Sequence, residues 1–274
     1  YGRGQYKKVV YEGRLVVKEF PCVYQFWELI GAANLQINDQ ESAATAFQKA
    51  VELSPGNASA HSNLGIARVG QGQFTEAIEA YRKSIDIDPA CAEIHGNLGI
   101  ALGANGQIVL AIESYKRAIS IDPECVDPYI NLGIALAQQG QLSDAIDSYH
   151  KAIASDPYHA KALTNLGVAL AEQGHYVEAI ESYQRAISIQ PSFADTYSNL
   201  GNALKAQGQL VEAVESYQRA FDMEPDNLNC LRNFGILLKT LRFHDPSPHL
   251  YPMLYSLIGS GSLVRPFEVA PAIL

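Results

Sequence analysis

Cysteine is scarce and scattered in this chain. Cys22, Cys91, Cys125 and Cys230 form no CxxC pair and have no histidine cluster beside them, so neither a disulfide framework nor a metal site is expected. A reducing, cytoplasmic compartment is the default expectation. Charge is also thin, at 18% of residues, and it is acidic in balance, with a net charge of -9 and a pI of about 5.2. Nucleic acid and anionic membranes need clustered Lys and Arg, so both are excluded as partners, and partners with basic character are favoured. No apolar run reaches the roughly 18 residues of a membrane span, and the N-terminus lacks the basic-then-apolar order of a secretory signal. There is no phosphate-binding glycine loop, no GxSxG and no HExxH, so neither catalysis nor a cofactor is expected of this chain.

What the chain has is a period. Asn63, Asn97, Asn131, Asn165, Asn199 and Asn233 stand 34 residues apart, and five of the six are followed by Leu-Gly. A fixed period of that length means stacked repeats, in which the usual estimate of domain number from length no longer applies. Phased on these asparagines, residues 24–227 hold six units of 34 residues, residues 1–23 the second helix of an earlier unit, and residues 228–241 the first helix of an incomplete one. Within a unit the first helix runs to a glycine (Gly72, Gly106, Gly140, Gly174, Gly208), which can take the left-handed conformation that stops a helix. The second helix carries Ala and Tyr four apart, as in Ala77/Tyr81 and Ala145/Tyr149, which pairs small against large on one face. Pro89, Pro123, Pro157, Pro191 and Pro225 end each unit, because proline cannot continue a helix.

Gly65, Ala77, Tyr81 and Pro89, with their copies, resemble the tetratricopeptide repeat. The resemblance implies an all-α fold: a right-handed α-solenoid of stacked antiparallel helix hairpins. The family's early Trp survives only as Trp27 and is replaced by His61, His95, Tyr129, Leu163, Tyr197 and Leu231, which are read as core fillers. After Leu241 the pattern breaks at Asp245-Pro246-Ser247-Pro248, and 242–274 is expected to form capping helices. His244, Asp245 and His249 lack a nucleophile and specify no reaction. The start at Tyr1 without Met and the apolar end at Leu274 suggest cuts in something longer.

Equivalent residues of successive first helices lie side by side on the order of 10 Å apart, so the six amides form a line. Each amide both donates and accepts, and can therefore pair with the backbone of an extended peptide without reading its sequence. In the family resembled, first helices line the concave surface and such an Asn commonly clamps the bound backbone. Duplication alone would also copy the asparagine. The regular pairs Glu79/Lys83, Glu113/Arg117, Asp147/Lys151, Glu181/Arg185 and Glu215/Arg219 are explained by i,i+4 pairing on a solvated face and show that regularity is not binding. The positions four residues before the asparagines do vary: Ser59, Glu93, Asp127, Lys161, Asp195 and Asn229. Constant clamps beside variable readers suit a peptide groove. The readers Glu93, Asp127, Lys161 and Asp195 point to a ligand with basic or hydroxyl side chains, although the acids equally suit a helix first turn.

The sequence is thus read as a protein–protein interaction module that binds an extended peptide through Asn63, Asn97, Asn131, Asn165, Asn199 and Asn233. An alternative is the substrate-recognition arm of a larger transferase, because the Asn-Leu-Gly ladder is similar to the repeat arm of O-linked N-acetylglucosamine transferases and of bacterial repeat proteins with a downstream glycosyltransferase or methyltransferase domain. A third is a scaffold that self-associates through the ends of its array.

Overall fold

The computed structural model describes residues 2–238, so the expected cap over 242–274 and the His244, Asp245, His249 trio lie outside the described residues. Among the described residues there are fourteen α-helices and no strand. They are α1 (Gly2–Glu19), α2 (Tyr24–Gln36), α3 (Gln40–Leu53), α4 (Ala58–Gly70), α5 (Phe74–Ile87), α6 (Ala92–Ala104) and α7 (Ile108–Ile121). They continue with α8 (Val126–Gln138), α9 (Leu142–Ser155), α10 (Ala160–Glu172), α11 (Tyr176–Ile189), α12 (Ala194–Ala206), α13 (Leu210–Met223) and α14 (Leu228–Leu238). The chain divides into two compact units, Tyr1–Ala135 and Leu136–Leu274. In the first, each helix from α1 to α7 packs on its neighbours in sequence, and α4 also touches α2 and α6. In the second, α9 to α14 do the same, with α12 touching α10 and α14. Each unit is a stack of helix hairpins, the all-α solenoid class expected.

Local chemistry sets the hairpin turns. Gly72, Gly106, Gly140, Gly174 and Gly208 have φ of +73°, +77°, +75°, +84° and +79°. Around Gly72 the amide of Gln73 donates to the carbonyl of Arg68 at 2.9 Å and that of Gly72 to Val69 at 2.9 Å, which satisfies carbonyls the helix end leaves over. In the α2–α3 turn the glycine is replaced by Asn38 at φ +65°, one of the few side chains that tolerate this region. The second helices stop where proline follows. Ser54, Asp88, Asp122, Asp156, Gln190 and Glu224 have ψ between 74° and 94°, as steric conflict with the next ring requires.

The core explains the Gly of Asn-Leu-Gly. A Cβ on Gly65 would lie 2.6 Å from the Tyr81 ring, on Gly99 2.5 Å from Tyr115, on Gly167 2.5 Å from Tyr183 and on Gly201 2.8 Å from Tyr217. Gly31 meets Phe47 in the same way at 2.6 Å. In these five hairpins the ring of the second helix therefore presses against bare backbone of the first. Burial pushes these phenols up, Tyr115 to about 12, so they remain neutral hydroxyls.

At the former Trp position the two histidines keep its polar task. Trp27 donates from Nε1 to the Pro21 carbonyl at 3.0 Å. His61 and His95, both buried, place Nε2 2.9 Å and 3.1 Å from the carbonyls of Pro55 and Pro89. A carbonyl only accepts, so Nε2 carries the proton in both rings. The charged i,i+4 pairs correct one expectation. The residues lie on an outer face, exposed in nearly every case, but among the described residues the ion pairs are Lys8–Glu12 at 3.7 Å and Lys49–Glu52 at 2.6 Å. Water solvates the remaining charges singly, because an exposed pair gains less than ~1 kcal/mol and loses side-chain freedom.

Candidate functional site

The ladder asparagines sit mid-way along first helices, two residues before the glycines (Gly65, Gly99, Gly167, Gly201) that pack against the second helix. Asn63, Asn97 and Asn131 lie on α4, α6 and α8 in the first unit; Asn165, Asn199 and Asn233 lie on α10, α12 and α14 in the second. All six are half-buried, whereas Ser59, Glu93, Asp127, Lys161 and Asp195, one turn earlier, are exposed. The constant amide is thus at the floor of the first-helix face and the variable side chain at its rim.

In the second unit these residues share a groove of about 430 Å³ between α10, α12 and α14. Its floor carries Asn165, Asn199 and Asn233, and its rim Lys161 and Asp195. Asn165 Nδ2 is buried and has no hydrogen-bond partner, an uncommon state for a protein amide. Among the described residues no bond to another protein group ties the side chains of Asn97, Asn131, Asn199 or Asn233, while Asn63 Nδ2 reaches Ser59 Oγ at 3.5 Å. Asp195 accepts from Asn227 Nδ2 at 3.4 Å.

In the first unit the rim residues Glu93 and Asp127 lie close enough to Cys125 to act on its thiol. Burial, with the carboxylates of Asp122, Asp127 and Glu93, pushes its thiol up. The Cys230 thiol, buried and donating to the Tyr217 carbonyl at 3.2 Å, is pushed up to about 12. Both cysteines are therefore protonated and poorly nucleophilic. Among the described residues no three His, Cys, Asp or Glu converge to hold a metal, and no helix is long and apolar enough to cross a membrane.

Four groove residues, Thr164, Val168, Phe193 and Ser198, were not picked out from sequence. Phe193, 40% exposed, supplies an apolar wall. Thr164 and Ser198 stand one residue before their asparagines, and Thr164 Oγ1 meets Thr196 Oγ1 at 3.0 Å. The position just before each asparagine (Ser62, Gly96, Ile130, Thr164, Ser198, Arg232) carries a small or hydroxyl side chain in four of the six units, a signal available in the repeat alignment.

Comparison with known families is direct. A TPR repeat model matches residues 31–72, 67–106, 104–140, 135–174 and 169–208, and a tetratricopeptide repeat model matches 194–227. The chain belongs to the tetratricopeptide repeat family. These repeats point to protein–protein interaction. The crystal structure of MamA shares 33% identity, covers 59% of this chain and 95% of its own, and has a TM-score of 0.56. YrrB, described as a TPR protein with an unusual peptide-binding site, shares 23% identity over 69% of this chain and 97% of its own, at a TM-score of 0.57. PilF of Pseudomonas aeruginosa shares 20% identity over 76% and 94%, at 0.67. No match was found among curated protein sequences.

Proposed function

We propose that this tetratricopeptide repeat chain binds an extended protein segment along the first-helix face, with the asparagine amides pairing to its backbone and the rim residues choosing its side chains. One observation carries the reading. In the second unit Asn165, Asn199 and Asn233 converge on one groove, and the Asn165 Nδ2 donor faces burial without a partner. A buried unpaired donor costs about 1–3 kcal/mol, and a peptide carbonyl placed there would remove that cost. Lys161 and Asp195 give the rim one charge of each sign, so in this unit the segment carries an acidic and a basic or hydroxyl side chain at a separation matching adjacent repeats. In the first unit Glu93 and Asp127 select basic side chains.

The test is calorimetric, with an unstructured decapeptide selected from a positional-scanning library on the intact chain. Asn165→Ala with Asn199→Ala, in a chain that keeps its helical circular dichroism, removes hydrogen bonds each worth about 1 kcal/mol and lowers affinity roughly tenfold to hundredfold. Unchanged affinity in that folded variant sinks the reading. Lys161→Glu alters which peptides are selected without abolishing binding.

A further inference from the structure

A second cleft lies in the first unit, away from the ladder, between the outer side of α3 and the turn that joins α4 to α5. Its volume is about 670 Å³, within the range of small-molecule and peptide-end sites. Three departures from the repeat meet there. The residue opening the second helix is apolar in five units (Phe74, Ile108, Leu142, Tyr176, Leu210) but is Gln40 here. The facing position near the end of the next first helix is Leu102, Leu136, Leu170 and Leu204 in later units but is Arg68 here. Two residues on, Ala104, Gln138, Glu172 and Ala206 are replaced by Gly70, on which a Cβ would lie 2.5 Å from the Gln40 side chain. Where the later repeats carry two apolar residues this one carries two polar ones, with a glycine that makes room for the Gln40 side chain.

The exchange leaves polar groups unspent. Gln40 Oε1 is buried and accepts no bond. Arg68 Nη1 donates to Gln71 Oε1 at 3.3 Å and to Gln73 Oε1, and Gln71 Nε2 donates to the Gln40 carbonyl at 3.3 Å. Arg68 is half-buried and, among the described residues, has no carboxylate within ion-pair distance. A cation held in a fixed orientation by neutral amides keeps its remaining donors for an anion. The lining adds Lys49, already paired with Glu52, and Glu41 at the exposed rim.

We infer that this cleft is a binding site for an acidic peptide segment, in which a Glu or Asp carboxylate pairs with Arg68 and a neighbouring backbone N–H donates to Gln40 Oε1. The competing explanation is that Arg68 merely complements the C-terminal end of α4. The intact chain separates the two. Acetyl-triglutamate amide is titrated into nitrogen-15-labelled protein, following the Arg68 Nε–H and the Gln40, Gln71 and Gln73 side-chain amides, with acetyl-triglutamine amide and inorganic phosphate as controls. The inference requires triglutamate to shift those signals and the controls to leave them unmoved. Gln40→Leu with Arg68→Leu restores the pattern of the other repeats. It is expected to weaken triglutamate binding at least tenfold while Tm stays level or rises by roughly 2–4 °C. Arg68→Gln, which keeps the polarity and removes the charge, gives the same loss if the double variant does not fold. Absent binding, equal response to triglutamine or phosphate, or retained affinity in the folded variant overturns the inference.

Discussion

At the scale of single residues, the glycine after Asn-Leu is the least replaceable position in a repeat. Gly167→Ala would set a methyl 2.5 Å from the Tyr183 ring, in a contact where both partners are buried and rigid. It is expected to lower stability by about 1–3 kcal/mol, the usual cost of overpacking. Gly96 is also helical, but a Cβ there would have Pro128 at 3.9 Å as its nearest neighbour. Gly96→Ala is therefore expected to raise stability by roughly 0.5–1 kcal/mol through helix propensity. Urea denaturation of both variants checks the pair, and destabilisation of equal size in both would contradict the ring-on-backbone account. His95 offers a milder case. Its ring can be replaced by Trp, which makes the same bond at Trp27, whereas His95→Leu leaves the Pro89 carbonyl unpaired and is expected to cost about 1 kcal/mol.

At the scale of helices, the ends carry the local instructions. Asp39 caps α3 by accepting from the Ser42 amide at 3.0 Å. That bond, with the Ser42 hydroxyl, holds the Asp39 carboxyl below its ordinary range. Because the folded pKa is depressed, the stabilisation is complete above the ordinary carboxylate range and is lost as pH falls through the lowered value. Asp39→Ala is expected to cost about 1 kcal/mol at neutral pH, with a gap from the parent that closes on acidification. Thermal melts across that range check it, and a gap independent of pH would reject the cap. Such punctuation was legible in the sequence because it is short-range: a glycine that stops one helix, a proline that bars the next turn, an aromatic four residues from an alanine. The groove was only half legible. The asparagines and their rim neighbours follow from periodicity, but Phe193 occupies a position that is otherwise Asn57, Cys91, Cys125, His159 and Asn227, and it acquires a role only where three first helices meet. The charged pairs misled for a related reason: spacing brings two side chains within reach, but solvent decides whether they touch.

At the scale of the molecule, stability in each unit is carried by contacts between neighbouring helices, as expected of a one-dimensional array. A wound in one hairpin should therefore stay local. Gly31→Ala, which drives a methyl to 2.6 Å from Phe47, is expected to speed amide exchange in α2 and α3 and leave α12 and α13 at parent rates. Exchange that quickens uniformly along the chain would contradict this.

The aromatic ring pressed against bare glycine backbone has a metrical meaning as well. The dimensions of an aromatic ring cannot vary, so every hairpin built this way holds its two helices at one gauge. Residues on the far side of the first helix then inherit a constant setback from the stack behind them. Within each unit the amides are thus set by hydrocarbon on the opposite side of their helix, and altering the ring would shift that ruler before it altered a single polar group.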